Sequence, residues 1–227
     1  MLDLADSPAV EFDESAVVPD SAVLFPSAAP QAVLVFLHGL TMAPAQLFPF
    51  AAALGLPVVF CIPYGQVTEP DGTRSWWAVD ANKRRKTLAA GPVDLFDRHP
   101  EGRSRARQQL RVVLQQARER WPGLPIYLAG YSQGGMLALD YVFLSDGPKP
   151  DALILLSTSC IALDEWQQRM DGGASVMRQM PVLVMHGEHD LDLAPSAGRR
   201  GRECLEAGGA QGRWEPFDGG HEMSSVG

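Results

Sequence analysis

The sequence predicts an α/β fold: a mostly parallel central sheet with helices on both faces. Three observations carry this. Residues 32–37, 57–62, 125–129, 152–156 and 181–185 are short, uninterrupted apolar runs rich in β-formers. That is the signature of strands buried on both faces, as in parallel sheets. Stretches with helical spacing alternate with these runs, which is how parallel strands are connected. Finally, a polar cluster falls at the end of several predicted strands: His38-Gly39-Leu40, Ser132, Ser157-Thr158, Asp190 and, after a last short strand at 213–217, His221. In open α/β sheets, ligands bind beyond the carboxyl ends of the strands.

In chain order, residues 1–20 are acidic, carry Pro8 and Pro19, and read as a leader or an edge segment. Residues 21–227 then form a single domain, which suits the length. After the run at 32–37, residues 45–54 place Leu47, Phe50, Ala51 and Leu54 on one helical face. Pro63 stops the next run. Residues 64–101 read as a long irregular stretch, and so long a loop in a compact domain is usually functional. It holds Ser75-Trp76-Trp77 and the basic run Lys83-Arg84-Arg85-Lys86. The basic run reads as solvated surface in preference to an anion site. The tryptophans read equally as loop anchors or as ligand platforms. Residues 102–120 make a strong helix with Leu110, Val113, Leu114 and Ala117 as its stripe, ended by Pro122-Gly123. Residues 163–179 read as a helix interrupted at Gly172-Gly173, residues 196–207 as another, and residues 213–217 as a last short strand.

Composition narrows the function classes. The formal charge of −8 and pI near 5.1 argue against nucleic acid as a partner. Cys61, Cys160 and Cys204 are widely separated and lack metal-type spacing, which suits a reducing compartment or unpaired buried thiols. The first residues have neither a basic n-region nor an apolar h-region, and no run approaches transmembrane length. A cytoplasmic protein without stable membrane insertion, monomeric or homodimeric, is the expectation.

The chemistry gathers around Gly130-Tyr131-Ser132-Gln133-Gly134. A strand precedes it and a helix-like stretch follows, the context of a nucleophile elbow. The glycines let strand and helix approach without a Cβ clash. Serine needs a base within hydrogen-bond reach, and that base needs a carboxylate to orient it. The order Ser132, Asp190, His221 is that of an α/β-hydrolase. Asp192 competes with Asp190, while Asp218 lies too near His221 in sequence to be the choice. His186-Gly187-Glu188-His189 has a short metal-like spacing, but it sits on a strand-to-loop bend with no further ligands, so no metal is expected. Backbone N–H groups of Leu40, in the loop after the first buried strand, and of Gln133, at a helix start, are the candidate oxyanion donors. His38 reads as a structural histidine bonded within its own loop.

Leu37-His38-Gly39-Leu40, Gly130-Tyr131-Ser132-Gln133-Gly134-Gly135, His186-Gly187-Glu188-His189-Asp190 and Gly220-His221-Glu222 together resemble the phospholipase/carboxylesterase family of α/β-hydrolases. That family includes the acyl-protein thioesterases. The resemblance spans roughly residues 32 to 221. It implies Ser132 as nucleophile, Asp190 as acid in preference to Asp192, His221 as base, and Leu40 and Gln133 as the oxyanion hole. It matches Ser75-Trp76 to a Ser-Trp element near the acyl site. It implies a minimal cap, hence an open groove walled by Met42, Trp76, Trp77 and Ile161, suited to short or medium acyl esters, with no cofactor. Departures are Thr41-Met42-Ala43-Pro44 where the family often has Gly-Asp, and residues 222–227 where it usually has a closing helix. The expected function is a serine carboxylesterase acting on a small-molecule ester. A thioesterase or lysophospholipase on the same triad is the alternative, and a non-catalytic binding protein is the alternative from another class.

Overall fold

The computed structural model describes residues 11–12, 20–172, 177 and 179–223. Most of the segment expected as a leader or edge therefore lies outside the described residues, as do Gly173 and residues 224–227. The elements are β1 (Glu11–Phe12), β2 (Ser21–Phe25), β3 (Ala32–Leu37), α1 (Phe48–Leu54), β4 (Val58–Pro63), β5 (Val67–Thr68), β6 (Arg74–Ser75), α2 (Ala81–Leu88), α3 (Arg103–Arg120), β7 (Ile126–Tyr131), α4 (Gln133–Leu144), β8 (Ala152–Leu156), α5 (Leu163–Asp171), β9 (Pro181–Gly187), α6 (Pro195–Ala207) and β10 (Gln211–Phe217).

The main sheet is eight-stranded, ordered β1-β2-β4-β3-β7-β8-β9-β10. β1 and β2 pair antiparallel at one edge, and every pairing from β4 to β10 is parallel. Each continuous apolar run became a strand because both of its faces are covered. On β3, Val33, Val35 and Leu37 face the core shared with α3, α4, α5 and α6. Leu34 and Phe36 alternate to the other core, which α1 covers. All six β3 residues are buried, the two-sided burial that a parallel strand requires. The register aligns the strand ends, pairing Leu37 with Gly130, Tyr131 with Leu156, Leu156 with Met185, and Phe217 with Gly187. The loops after β3, β7, β8, β9 and β10 therefore open on one edge of the sheet.

The α3 stripe of Leu110, Val113, Leu114 and Ala117 is buried as expected. Behind it, Asp140 of α4 is fully buried but accepts from Arg103 (2.8 Å), Arg107 and the Trp166 indole (2.9 Å). Its charge is paired and hydrogen-bonded, the condition for a buried carboxylate to be tolerated. This joins α3, α4 and α5 behind the elbow. α5 stops at Asp171 with Gly172 as its C-cap, where the sequence predicted an interruption; residues 173–176 and 178 lie outside the described residues.

Residues 64–101 are less irregular than the sequence suggested. β5 and β6 form a small hairpin, and α2 is a helix whose first N–H groups, those of Asn82 and Lys83, bond to the Asp80 carboxylate, a regular N-cap. α2 buries no side chain, so it lacks the apolar periodicity that would have announced it. No described helix is long and apolar enough to cross a membrane.

Candidate active site

The turn between β7 and α4 holds Ser132 at φ 51° and ψ −115°, a conformation that L residues adopt only under strain. The turn is forced by close packing. A Cβ on Gly134 would overlap the carbonyls of Leu37 and His38, and one on Gly130 would lie 2.5 Å from the Gly134 carbonyl carbon. The Ser132 N–H bonds to Leu156 O at 2.9 Å, and Ser132 O accepts from Met136 N–H (3.1 Å) and the Thr158 hydroxyl (2.9 Å). With its backbone tied to β8 and α4, the side chain projects into a cleft of about 490 Å³.

Three side chains from three loops meet there. His221 Nε2 lies 2.9 Å from Ser132 Oγ, and His221 Nδ1 lies 2.8 Å from Asp190 Oδ2. Asp190 Oδ1 accepts from the N–H groups of Asp192 (2.8 Å) and Leu193 (2.9 Å). Burial alone would push the Asp190 carboxyl up. Hydrogen bonds from His186, His221 and the Leu193 N–H outweigh burial and hold it well below the usual carboxylate range. Asp190 therefore stays ionised and His221 Nδ1 carries the proton, which leaves Nε2 as acceptor for the serine hydroxyl. Asp192 turns away from His221 and pairs with Arg84 of α2. Asp218 is exposed and pairs with His189 at 3.1 Å. His186 and His189 point to different places, so the metal-like spacing does not converge.

The loop bearing His221 is held at two points. Tyr131 Oη donates to His221 O at 2.8 Å, and Ser157 Oγ donates to Glu222 O at 3.0 Å. Burial, reinforced by Asp190, Asp192 and Glu222, pushes the Tyr131 phenol up to about 12, so it remains a donor. Gly187 ends β9 against this loop, and a Cβ there would strike the carbonyls of Gly219 and Gly220. Neither Tyr131 nor Ser157 carried a sequence signal beyond its place at a strand end.

Leu40 and Gln133 line the cleft beside Ser132. Gln133 N–H opens α4, where a helix leaves its donors without intrahelical acceptors. Among the described residues Leu40 N–H has no acceptor either. Its neighbours are engaged: Gly39 N–H with Met42 Sδ (3.2 Å) and Thr41 N–H with Ser75 Oγ (3.2 Å). The Gln133 side chain, which the sequence reading passed over, accepts from Trp76 N–H (2.8 Å) and donates to Trp77 O (3.0 Å). One amide thus fixes the Ser75-Trp76-Trp77 segment.

The expected groove wall is corrected in part. Trp77 and Ile161 line the cleft, joined by Leu88, Leu95, Met136 and Leu193. Met42 and Trp76 do not. Met42 pairs by its backbone with Arg74 and turns its sulfur to Gly39. Trp76 is fully buried, stacked on His38 at 5.0 Å, its indole donating to His38 O at 2.9 Å. The paired tryptophans divide the two roles the sequence left open: Trp76 anchors the loop and Trp77 faces the cleft. Two members of the basic run, Lys83 and Arg84, also reach the cleft, although the run as a whole is exposed as expected.

His38 is the structural histidine that its loop suggested. Nδ1 lies 2.8 Å from Gly39 O, so it carries the proton, and Nε2 accepts from Gly65 N–H at 2.9 Å. Burial, aided by Arg74 and only partly offset by the Gly39 bond, pushes its pKa down to about 4 from 6.5. In the unfolded chain the ring takes a proton near pH 6.5; in the folded chain it refuses one until about 4. Its stabilising contribution is therefore complete above pH 6.5 and declines as the pH falls to about 4. The loss is about 3 kcal/mol. Urea melts between pH 7 and pH 4 are expected to show this decline, and His38→Gln should flatten it. An equal decline in the variant would overturn the assignment.

The architecture is the α/β-hydrolase fold, with the serine at its elbow and the histidine and aspartate on the loops after its last strands. No protein-family model matches the chain. It is similar to the solved structure of Zea mays acyl-protein thioesterase 2, with 18% identity over 90% of this chain and 92% of that chain and a TM-score of 0.72. A carboxylesterase from Mesorhizobium loti gives 18% identity over 90% and 88% and a TM-score of 0.69. Esterase PE8 gives 21% identity over 89% and 91% and a TM-score of 0.68. At such identities the likeness is one of fold.

Proposed function

We propose that this chain is a serine hydrolase that cleaves carboxylic esters of short to medium acyl chains through an acyl-enzyme. The observation that carries the proposal is the unbroken hydrogen-bonded series Ser132–His221–Asp190 opening on a cleft beside two backbone donors. His221 Nε2 takes the Ser132 proton as Oγ attacks the acyl carbon, and the ionised Asp190 stabilises the imidazolium. The N–H groups of Leu40 and Gln133 receive the developing oxyanion, each such donor lowering the barrier by about 3 kcal/mol. His221 then protonates the leaving alcohol. Water, deprotonated by the same ring, releases the acid. Trp77, Met136, Ile161 and Leu193 give the acyl group an apolar bed.

A thioester of the same acyl group is the second reading, supported by the fold shared with the maize thioesterase. The two differ only in the leaving atom. A fluorophosphonate probe and a series of p-nitrophenyl esters from acetate to palmitate, run beside matched acyl thioesters, test both. Stoichiometric labelling with an optimum at short or medium esters is expected. Preference for the thioesters would favour the second reading. A folded protein that neither labels nor turns over would leave the scaffold as a binding protein.

A further inference from the structure

His186, the penultimate residue of β9, is fully buried and does not line the cleft. Its Nε2 lies 3.0 Å from Leu193 O and 3.2 Å from Asp190 Oδ2. A carbonyl only accepts, so Nε2 carries the proton and shares it between these two oxygens. Nδ1 has no partner among the described residues, and the Gly198 backbone packs so close that a Cβ there would lie 2.5 Å from it. The Trp214 ring stacks at 6.3 Å. A second proton on this ring would find no acceptor. Nε2–H is therefore the donor that His186 presents to Asp190 and Leu193.

Asp190 Oδ2 thus serves two imidazoles, one facing the cleft and one sealed behind it. We propose that His186 is a positioning residue that sets the basicity of His221 by taking a share of the Asp190 carboxylate. This rests on the reading of His221 as the base. A carboxylate oxygen with two N–H donors offers less charge to either than it would to one. Removing the His186 donor leaves Oδ2 to His221 alone, so the imidazolium is favoured and His221 titrates at higher pH. Among the described residues, the protonated Tyr131 phenol, Glu222, and Asp192 with its partner Arg84 also lie near this carboxylate. Among the described residues none of them donates to Oδ2.

The test is an NMR titration of the His221 imidazole in wild type, His186→Phe and His186→Gln, read without turnover. The acid limb of kcat/KM on p-nitrophenyl butyrate is followed in parallel. His186→Phe fills the ring's space without a donor and is expected to raise both by about half a pH unit or more. His186→Gln, whose amide N–H can reach Oδ2, is expected to return both towards the wild-type position. A His221 that titrates unchanged or lower in His186→Phe would overturn the proposal. In wild-type protein alone, 15N shifts must place a His186 proton on Nε2, and a His186 with its proton on Nδ1 only would also overturn the proposal. If the NMR shift occurs without any ester turnover, the positioning role stands and the esterase reading fails.

Discussion

Ser132→Ala is expected to lower kcat/KM for p-nitrophenyl butyrate by about 10⁴-fold or more while the protein stays folded. The Ser132 side chain bonds to His221 and to no other described residue, whereas its backbone is tied to Leu156, Met136 and Thr158. Truncation removes the nucleophile and leaves those ties intact. Ser132→Gly makes the complementary case. At φ 51° alanine keeps the backbone strain and glycine releases it. The glycine variant should therefore be equally inactive but more stable than the alanine variant by about 1 kcal/mol in denaturant melts. Strain at the elbow would then be visible as stability that the hydroxyl's position forgoes. Ser132→Ala activity within tenfold of wild type would place the chemistry elsewhere.

The second large effect separates two aspartates two residues apart. Asp190→Asn should lower kcat by about 10⁴-fold. Two N–H groups, of Asp192 and Leu193, keep an acceptor at the Oδ1 position and outweigh the longer His186 contact to Oδ2, so the asparagine places its NH2 where Oδ2 stood. That NH2 faces His221 Nδ1, which can then only accept. The imidazole proton moves to Nε2 and faces the serine hydroxyl, a tautomer that cannot take its proton. Asp192→Asn loses only the part-exposed ion pair to Arg84, a contact in the range of about 1 kcal/mol or less. Its kcat/KM should fall by less than about tenfold. Steady-state kinetics on the purified pair decide the matter, and equal losses would mean that the acid had been misassigned.

Much of this arrangement was legible before any coordinates. The continuous runs that became β3, β4, β7, β8 and β9 announced themselves because burial on both faces leaves no polar position to interrupt them. Ser132 and Asp190 were legible because each sits where such a run ends, and His221 because it follows the last short strand after Gly219-Gly220. What escaped was structure held by something other than apolar periodicity. α2 stands on its Asp80 cap and the Arg84–Asp192 pair and buries nothing, so its sequence, Ala-Asn-Lys-Arg-Arg-Lys-Thr-Leu, reads as surface. Met42 and Trp76 were expected on the groove wall from the family resemblance and its minimal cap. Their directions are set by a sulfur contact to Gly39 and by stacking on His38, long-range geometry that spacing does not encode. Likewise, nothing local marks Tyr131 or Ser157 as clamps on a loop some ninety and sixty-five residues away.

The double engagement of Gln133 bears on how such a site could diverge. Its backbone faces the oxyanion position while its side-chain amide grips the segment that presents Trp77. Any mutation that resculpts the Trp77 wall pulls on the residue proposed to supply an oxyanion donor, so on that proposal acyl preference and rate are entangled on that side. Leu88 and Thr87 of α2 line the same cleft, on a helix that buries no side chain. On the proposed function, side chains at Thr87 and Leu88 are where the cleft can be widened or narrowed with the least pull on Gln133.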